Sequence, residues 1–268
     1  LINSKLHIIT LNWNGEDKLK HLAPSLVNSL NDIDYNWLIK DNASTDNSID
    51  YLKSLNNKNI EIISYKDNLQ NFSQGCNYIF NIANPKPNDL ILLLNNDIIF
   101  NDKNSIKKMI SLLKEDVGIV GAKLLFNNTK KIQHAGVVFH NKHKLPHHFR
   151  INEMDDLNSS KNRYFQAVTG ACLLTKAEYY ALSDKMDEKY HWAFEDIDLC
   201  LKINKFLNKK IIYCGDTNIF HEESATLKKN PVKNLFMQHN INYFFNKWTA
   251  RYIVDHDTYL NNKNYNLI

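Results

Sequence analysis

The chain has 268 residues, 43% hydrophobic and 23% charged, with a formal net charge of +4. That balance excludes a disordered chain, and so mild a positive charge does not indicate nucleic acid, although it allows contact with an anionic membrane surface. No run approaches the ~20 apolar residues of a membrane span, and no signal peptide opens the chain, so a cytoplasmic protein is expected, at most at the inner face of the membrane. The four cysteines (Cys76, Cys172, Cys200, Cys214) are scattered, with no Cys-x-x-Cys, and read as reduced core residues. The chain begins with Leu1 rather than Met, which reads as an excised part of a longer protein whose anchor could lie elsewhere.

Leu6 to Leu11 predicts a first strand, broken by the polar turn Asn12-Trp13-Asn14-Gly15. Leu19, Leu22, Leu26 and Leu30 then recur at helical spacing. Trp37 to Lys40 is a second short strand running into Asp41 to Asp46, dense in turn and cap residues. Ile49, Leu52 and Leu55 carry a second helix, and Ile60 to Ile63 a third strand. A loop over Asn68 to Gly75 precedes a helix marked by Cys76, Ile79, Phe80 and Ala83. The apolar run Leu90 to Leu94 then stops abruptly at Asn95-Asn96-Asp97. A short apolar run bounded by turn residues fits a strand buried on both faces. The β-α-β-α-β-α-β order predicts a mostly parallel, Rossmann-like sheet flanked by helices. Ligands bind outside the carboxyl ends of such strands, where three polar loops would gather. Asp97 would offer a hard oxygen suited to Mg²⁺ or Mn²⁺; the plainer alternative is a polar turn after a core strand. The Gly-x-Gly-x-x-Gly and P-loop patterns are both absent, so phosphates must be held another way.

Further on, Ile106, Met109, Ile110 and Leu113 give an amphipathic helix, and Gly118 to Phe126 a strand. Residues 127 to 163 are polar, with Lys142, His143, Lys144, His147 and His148 bunched together. A second metal site or an acceptor-phosphate patch is one reading; a mobile, solvated loop over the cleft is the favoured one. Val168 to Leu174 is a strand with small residues at its centre, which either packs tightly or lets a ligand or another backbone approach closely. In Trp192 to Asp198, three carboxylates adjoin two aromatics ahead of a helix marked by Leu199, Cys200, Leu201 and Ile203. Acidic residues suit a helix N-terminus. Burial beside Trp192 and Phe194 would instead raise a carboxyl pKa and suit it to general-base work. Asp196 and Asp198 point about 200° apart on a helix, which favours Asp196 as the base and Asp198 as partner of the helix terminus. Ile211 to Cys214 and Ile219 to His221 read as further strands. From Pro231 onward, Leu235, Phe236, Tyr243, Phe244, Phe245 and Trp248 form an aromatic helical tail, most simply a cover for the core, with a membrane or partner as alternatives.

Thr10 to Gly15, Asp41 to Ser48 and Leu94 to Asp97 resemble three motifs of bacterial family 2 glycosyltransferases, nearest a rhamnosyltransferase-like branch. Asn68 to Asn77 resembles its Asn-x-Gly-Phe-x-x-Gly-x-Asn loop, with Gln70 where glycine is usual. The resemblance continues through Gly118 to Leu124, Gln133-His134-Ala135-Gly136, Val168 to Leu174 and Glu195 to Cys200, covering roughly residues 5 to 225. It implies a GT-A fold with a donor half at 1–100, an acceptor half at 101–230 and a helical extension at 231–268. It further implies a dTDP- or UDP-sugar donor, a divalent metal, inversion at the anomeric carbon and a glycan or lipid-linked glycan acceptor, as in capsule or lipopolysaccharide synthesis. Asp41 is then expected to contact the base, with Thr10, Asn12, Asn14, Asn42, Gln74, Asn77, Asn95, Asn96 and Asp97 around the donor. Asp97 and His221 are expected to hold the metal, and Asp196 to act as base. Gly170, Trp192 and Glu195 fall on the acceptor side. One departure stands out: the usual acid-x-acid metal motif is here Asn95-Asn96-Asp97, with a single carboxylate. The rival classes are a metal-dependent nucleotidyltransferase, which would carry a Gly- and Lys/Arg-rich first loop, and a nucleotide-sugar-binding module without transfer activity.

Overall fold

The computed structural model describes residues 4–127, 129–191, 193–222 and 232–268. The first half alternates as expected. Strand β1 (Leu6–Asn12), helix α1 (Glu16–Ser29), β2 (Tyr35–Asn42), α2 (Ser48–Ser54), β3 (Ile60–Tyr65), α3 (Phe72–Ala83) and β4 (Leu90–Leu94) follow one another. The strands lie side by side in the order β4-β1-β2-β3, all parallel. Register brings Asn12 opposite Asp41 and Ile9 opposite Leu93. Helix α1 buries Leu19, Leu22, Ala23 and Leu26, the one-sided stripe that its sequence spacing predicts.

The second half comprises β5 (Ile98–Phe100), α4 (Ser105–Leu112), β6 (Val117–Phe126), β7 (Ile132–His134), β8 (Val137–Phe139), β9 (Pro146–His148), β10 (Arg163–Phe165) and β11 (Cys172–Lys176). Then come α5 (Ala177–Leu182), α6 (Glu195–Leu207), β12 (Lys210–His221), α7 (Val232–Trp248) and α8 (His256–Asn261). Here the sheet becomes mixed. Strand β11 runs antiparallel between β4 and β6, β12 lies parallel to β6, and β10, β5 and β7 attach antiparallel. The two strands expected at 211–214 and 219–221 are one strand, β12, whose register against β6 shifts between Cys214 and Ile219. The strand expected over 168–174 begins only at Cys172.

Alternate strand residues feed two cores, one on each face of the sheet. Leu6, Ile8, Trp37, Leu92 and Leu94 join α1 and α4 on one face. Ile9, Leu38, Ile91 and Leu93 join α3, α5, α6 and α7 on the other. Residues 127–163 are not the solvated loop expected. Ile132, Val137, Val138, Phe139 and Phe149 are buried in the second core, while Asn141 to Lys144 and Asn152 to Met154 are exposed. In the aromatic tail, Phe244 and Trp248 are fully buried, and Tyr259 stacks on Phe165 with ring centroids 4.4 Å apart. The tail covers core. Among the described residues, no helix is long and apolar enough to cross a membrane.

Candidate active site

Strands β1, β2 and β4 end together, and one buried amide ties their loops. Asn12 Nδ2 donates to Asp41 Oδ1 at 2.9 Å and to Ser44 Oγ at 3.3 Å, while Asn12 Oδ1 accepts from Asn96 Nδ2 at 2.9 Å. A side chain at Gly15 would come within 2.3 Å of Asn12 Oδ1 and 2.5 Å of Asn96 Nδ2, so the glycine leaves room for this junction. Asp41 Oδ2 accepts the Ser44 amide at 2.9 Å, and Asn14 Oδ1 accepts the Thr45 amide at 2.7 Å. Asp41 has no exposed surface of its own; the exposed rim carries Trp13, Asn14 and Thr45.

Several expected donor residues are committed elsewhere. Thr10 is fully buried, and its hydroxyl accepts from Trp37 Nε1 at 2.9 Å. Its strand position turns it into the core rather than toward the loop. Gln74 closes a capping box at the start of α3, exchanging bonds with Asn71 at 3.0 and 2.9 Å. Asn77 is buried and fastens α3 to the 186–188 segment through Met186, Glu188 and the Tyr180 hydroxyl. Asn42 is nearly buried and accepts from Lys40 Nζ. Trp192 lies outside the described residues.

The metal-side residues do come together. Asp97 Oδ1 lies 3.0 Å from His221 Nε2, and both side chains are largely buried. Strand β5 pairs antiparallel with the end of β12, bringing Ile98 opposite His221. Gln133 Oε1 lies 2.7 Å from His221 Nδ1. An amide oxygen only accepts, so Nδ1 carries a proton; Nε2 donates to Asp97 when it too carries one, and presents its lone pair when a cation takes that proton's place. Asn95 Nδ2, 3.4 Å from Nε2, is compatible with the lone-pair form. In that form, Nε2 and the Asp97 carboxylate oxygen would face one another across a shared cation. Nitrogen and oxygen each about 2.1 Å from one divalent ion fit such a separation. Among the described residues, no group of three or more His, Cys, Asp or Glu side chains is arranged for a metal. A divalent ion here would have two protein ligands, Asp97 and His221, and would need further oxygens to complete its shell.

The acidic helix start separates its three carboxylates. Phe194, the residue before α6, adopts φ 77°, a left-handed conformation costly for a bulky side chain. Packing of its ring against Tyr190 and Phe244 holds it there. Asp196 Oδ2 accepts the Gly170 amide at 2.8 Å and Oδ1 the Ile197 amide at 2.8 Å. A side chain at Gly170 would stand 3.1 Å from Asp196 Cβ. Glycine therefore serves the close approach of backbone and carboxylate. The raised carboxyl pKa belongs to Glu195. Burial, then the charge of Asp196, pushes it up to about 8, and its Oε2 is buried without a hydrogen-bond partner among the described residues. Asp198 does not serve the helix terminus. It is fully buried and accepts from Trp248 Nε1 at 2.7 Å and Lys247 Nζ at 2.8 Å, anchoring α7. Gln133, His134 and Ser44 were missed as site residues, although each lies within a stretch that carries the family resemblance.

The model of the family described as "Glycosyl transferase family 2" matches residues 7–174. The chain belongs to glycosyl transferase family 2. Its folded relatives share the GT-A architecture. GalNAc-T7, solved with UDP, GalNAc and Mn²⁺, superimposes with a TM-score of 0.69 at 11% identity, over 92% of this chain and 49% of that one. S. aureus TarS 1–349, solved with UDP-GlcNAc, gives 0.62 at 15% identity, over 94% and 69%. In sequence, the O-antigen biosynthesis protein RfbC of Myxococcus xanthus is 29% identical over 150 residues, 54% of this chain and 12% of RfbC. The chain thus spans less than a fifth of the length of the curated relatives it matches.

Proposed function

We propose that this family 2 glycosyltransferase moves a sugar with inversion from a UDP- or dTDP-sugar to a hydroxyl of a glycan or lipid-linked glycan, in assembly of a bacterial surface polysaccharide such as capsule or lipopolysaccharide. One observation carries the reading: the Asp97–His221 pair and the backbone-held carboxylate of Asp196 are separate centres, linked through strand β7 and the Thr169–Gly170 segment. Transfer needs both, one centre for the departing diphosphate and one for the incoming hydroxyl. A divalent ion held by Asp97 and His221 would supply positive charge for the leaving diphosphate. Asp196 takes the acceptor proton as the hydroxyl oxygen bonds to the anomeric carbon and the carbon–phosphate-oxygen bond breaks. Each Asp196 oxygen spends one lone pair on a backbone N–H and keeps another for that proton. The Asn12–Asp41–Ser44 junction shapes the nucleoside end; Asp41 is wholly buried, so a pyrimidine N3–H would reach the second lone pair of its Oδ2 only once the Ser44–Thr45 turn opens. The Mn²⁺ and UDP bound in GalNAc-T7 and the UDP-GlcNAc bound in TarS support testing uridine donors first.

The test is turnover of a panel of UDP- and dTDP-sugars with Mn²⁺ or Mg²⁺, using water and simple glycosides as acceptors, with NMR of the product anomer. Inversion is expected, and Asp196→Asn should lower turnover by about 10²–10⁴-fold, the usual worth of a positioned base, with donor affinity nearly unchanged. A product of retained configuration, or near-normal turnover in Asp196→Asn, refutes the mechanism.

A further inference from the structure

Strand β7 carries two polar side chains, Gln133 and His134, at the point where its register against β6 shifts. Gln133 faces His221. His134 is fully buried and faces the other half of the site. Its Nε2 lies 3.3 Å from the Thr169 amide nitrogen, which only donates. Nε2 must therefore be the lone-pair nitrogen, and in a neutral ring the proton sits on Nδ1. Nδ1 in turn lies 2.7 Å from Nδ1 of His148 on β9. Two ring nitrogens at that distance hold one proton between them, so His134 donates and His148 accepts. The rings meet edge to face, with centroids 5.0 Å apart. Burial, followed by the neighbouring His148 and His221, keeps the His134 pKa well below the ordinary histidine value, in keeping with a neutral donor–acceptor ring. The next peptide group after Thr169 is that of Gly170, whose N–H holds Asp196 Oδ2 at 2.8 Å.

We infer that His134, locked as its Nδ1–H tautomer between His148 and the Thr169 amide, is a positioning residue that sets the Thr169–Gly170 segment and, through it, the carboxylate of Asp196. Calling that carboxylate the base rests on the proposed transferase mechanism; the hydrogen-bonded chain itself does not. The same strand fixes His221 through Gln133, so β7 sets the spacing between the two halves of the site. A polar side chain in a core strand would otherwise carry a desolvation cost with no return.

Two variants separate the inference from a merely structural role. His134→Phe keeps the ring and removes the acceptor for Thr169. His134→Gln puts an amide oxygen where Nε2 sits and keeps it. Without any sugar donor, long-range ¹⁵N–¹H spectra should show His134 as the Nδ1–H tautomer. The Gly170 amide signal should move in His134→Phe in the direction set by Asp196→Asn, and return in His134→Gln. In transfer assays, His134→Phe should lose turnover by about 10- to 100-fold, the scale of a misplaced reacting group. Its calorimetric affinity for UDP with Mn²⁺ should stay within about twofold of the parent, and His134→Gln should recover most of the turnover. An Nε2–H tautomer, a Gly170 signal unmoved in the Phe variant, or Gln no better than Phe overturns the inference. If the parent turns over no donor, the transferase reading fails, and the tautomer and Gly170 signals still decide this one.

Discussion

Asp198→Asn is the perturbation whose size follows most directly from the structure. The carboxylate is fully buried. Oδ1 accepts from Trp248 Nε1 at 2.7 Å, Lys247 Nζ at 2.8 Å and the Tyr190 hydroxyl at 3.3 Å, and Oδ2 lies 3.6 Å from Lys202 Nζ. Asparagine preserves the volume and one acceptor oxygen, so the tryptophan bond survives. It removes the negative charge and turns an NH₂ group toward one of the lysines. Lys202 is itself nearly buried; burial lowers its pKa, and the charge of Asp198 beside it raises it again. Removing one partner of a buried ion pair costs about 3–5 kcal/mol. At roughly 2–4 °C per kcal/mol for a chain of this size, the melting temperature should fall by about 6–20 °C. Urea unfolding at 25 °C and thermal melts measure the loss. Turnover per folded molecule, assayed well below the melt, should stay within about threefold, because Asp198 faces α7 and not the acceptor, and remote effects of this kind are small. Lys202→Met added to Asp198→Asn should recover part of the stability, since the unpaired charge goes with it. A loss under about 1 kcal/mol, the usual worth of an exposed pair, would refute the reasoning; so would a turnover defect as large as that of Asp196→Asn.

Glu195→Gln should flatten the pH dependence of stability. The folded state raises this carboxyl from 4.5 to about 8, so folded protein keeps a proton that the unfolded chain releases. That contribution is complete below the unfolded value of 4.5 and is lost as pH rises through about 8. Unfolding free energies from urea titrations at successive pH values should fall in the parent, by at most about 1.4 kcal/mol per pH unit from this group, and fall less in the Gln variant. Equal slopes would count against a protonated Glu195. For the metal, Asp97→Ala should weaken the Mn²⁺-dependent part of UDP binding by at least about tenfold, since even outer-shell partners of a ligand cost that much. Calorimetry with and without Mn²⁺ reads it, and unchanged metal dependence would remove Asp97 from the metal site.

Much of residues 1–100 was legible in the sequence because its signals are local. Helix stripes such as Leu19-Leu22-Leu26, apolar runs such as Leu90 to Leu94 and the polar stops after them report their own secondary structure and order. A βαβ chain has essentially one handed way to close, so its polar loops gather at one edge. Asn12, Asp41, Asn96 and Asp97 were placed at that edge on this ground, and the register of β1 with β2 and β4 puts them there. Strand direction and partner in the second half were not legible. Apolar periodicity is the same for parallel and antiparallel neighbours, so nothing local announced β11 between β4 and β6. Nor could composition show that a lysine- and histidine-rich stretch hides β7 and β8, because three-residue strands are too short for a period to emerge. Side-chain commitments were decided only by tertiary contacts. Gln74 and Asn77 look like ligand groups in a loop motif, yet they cap α3 and tie it to residues 186–188. Asp198 looks like a helix-terminal acid, yet it waits for Trp248, 50 residues away. A polar side chain does not encode its partner. In a folded interior it must satisfy its hydrogen bonds wherever the packing leaves a donor or acceptor, and that is settled only when distant elements meet.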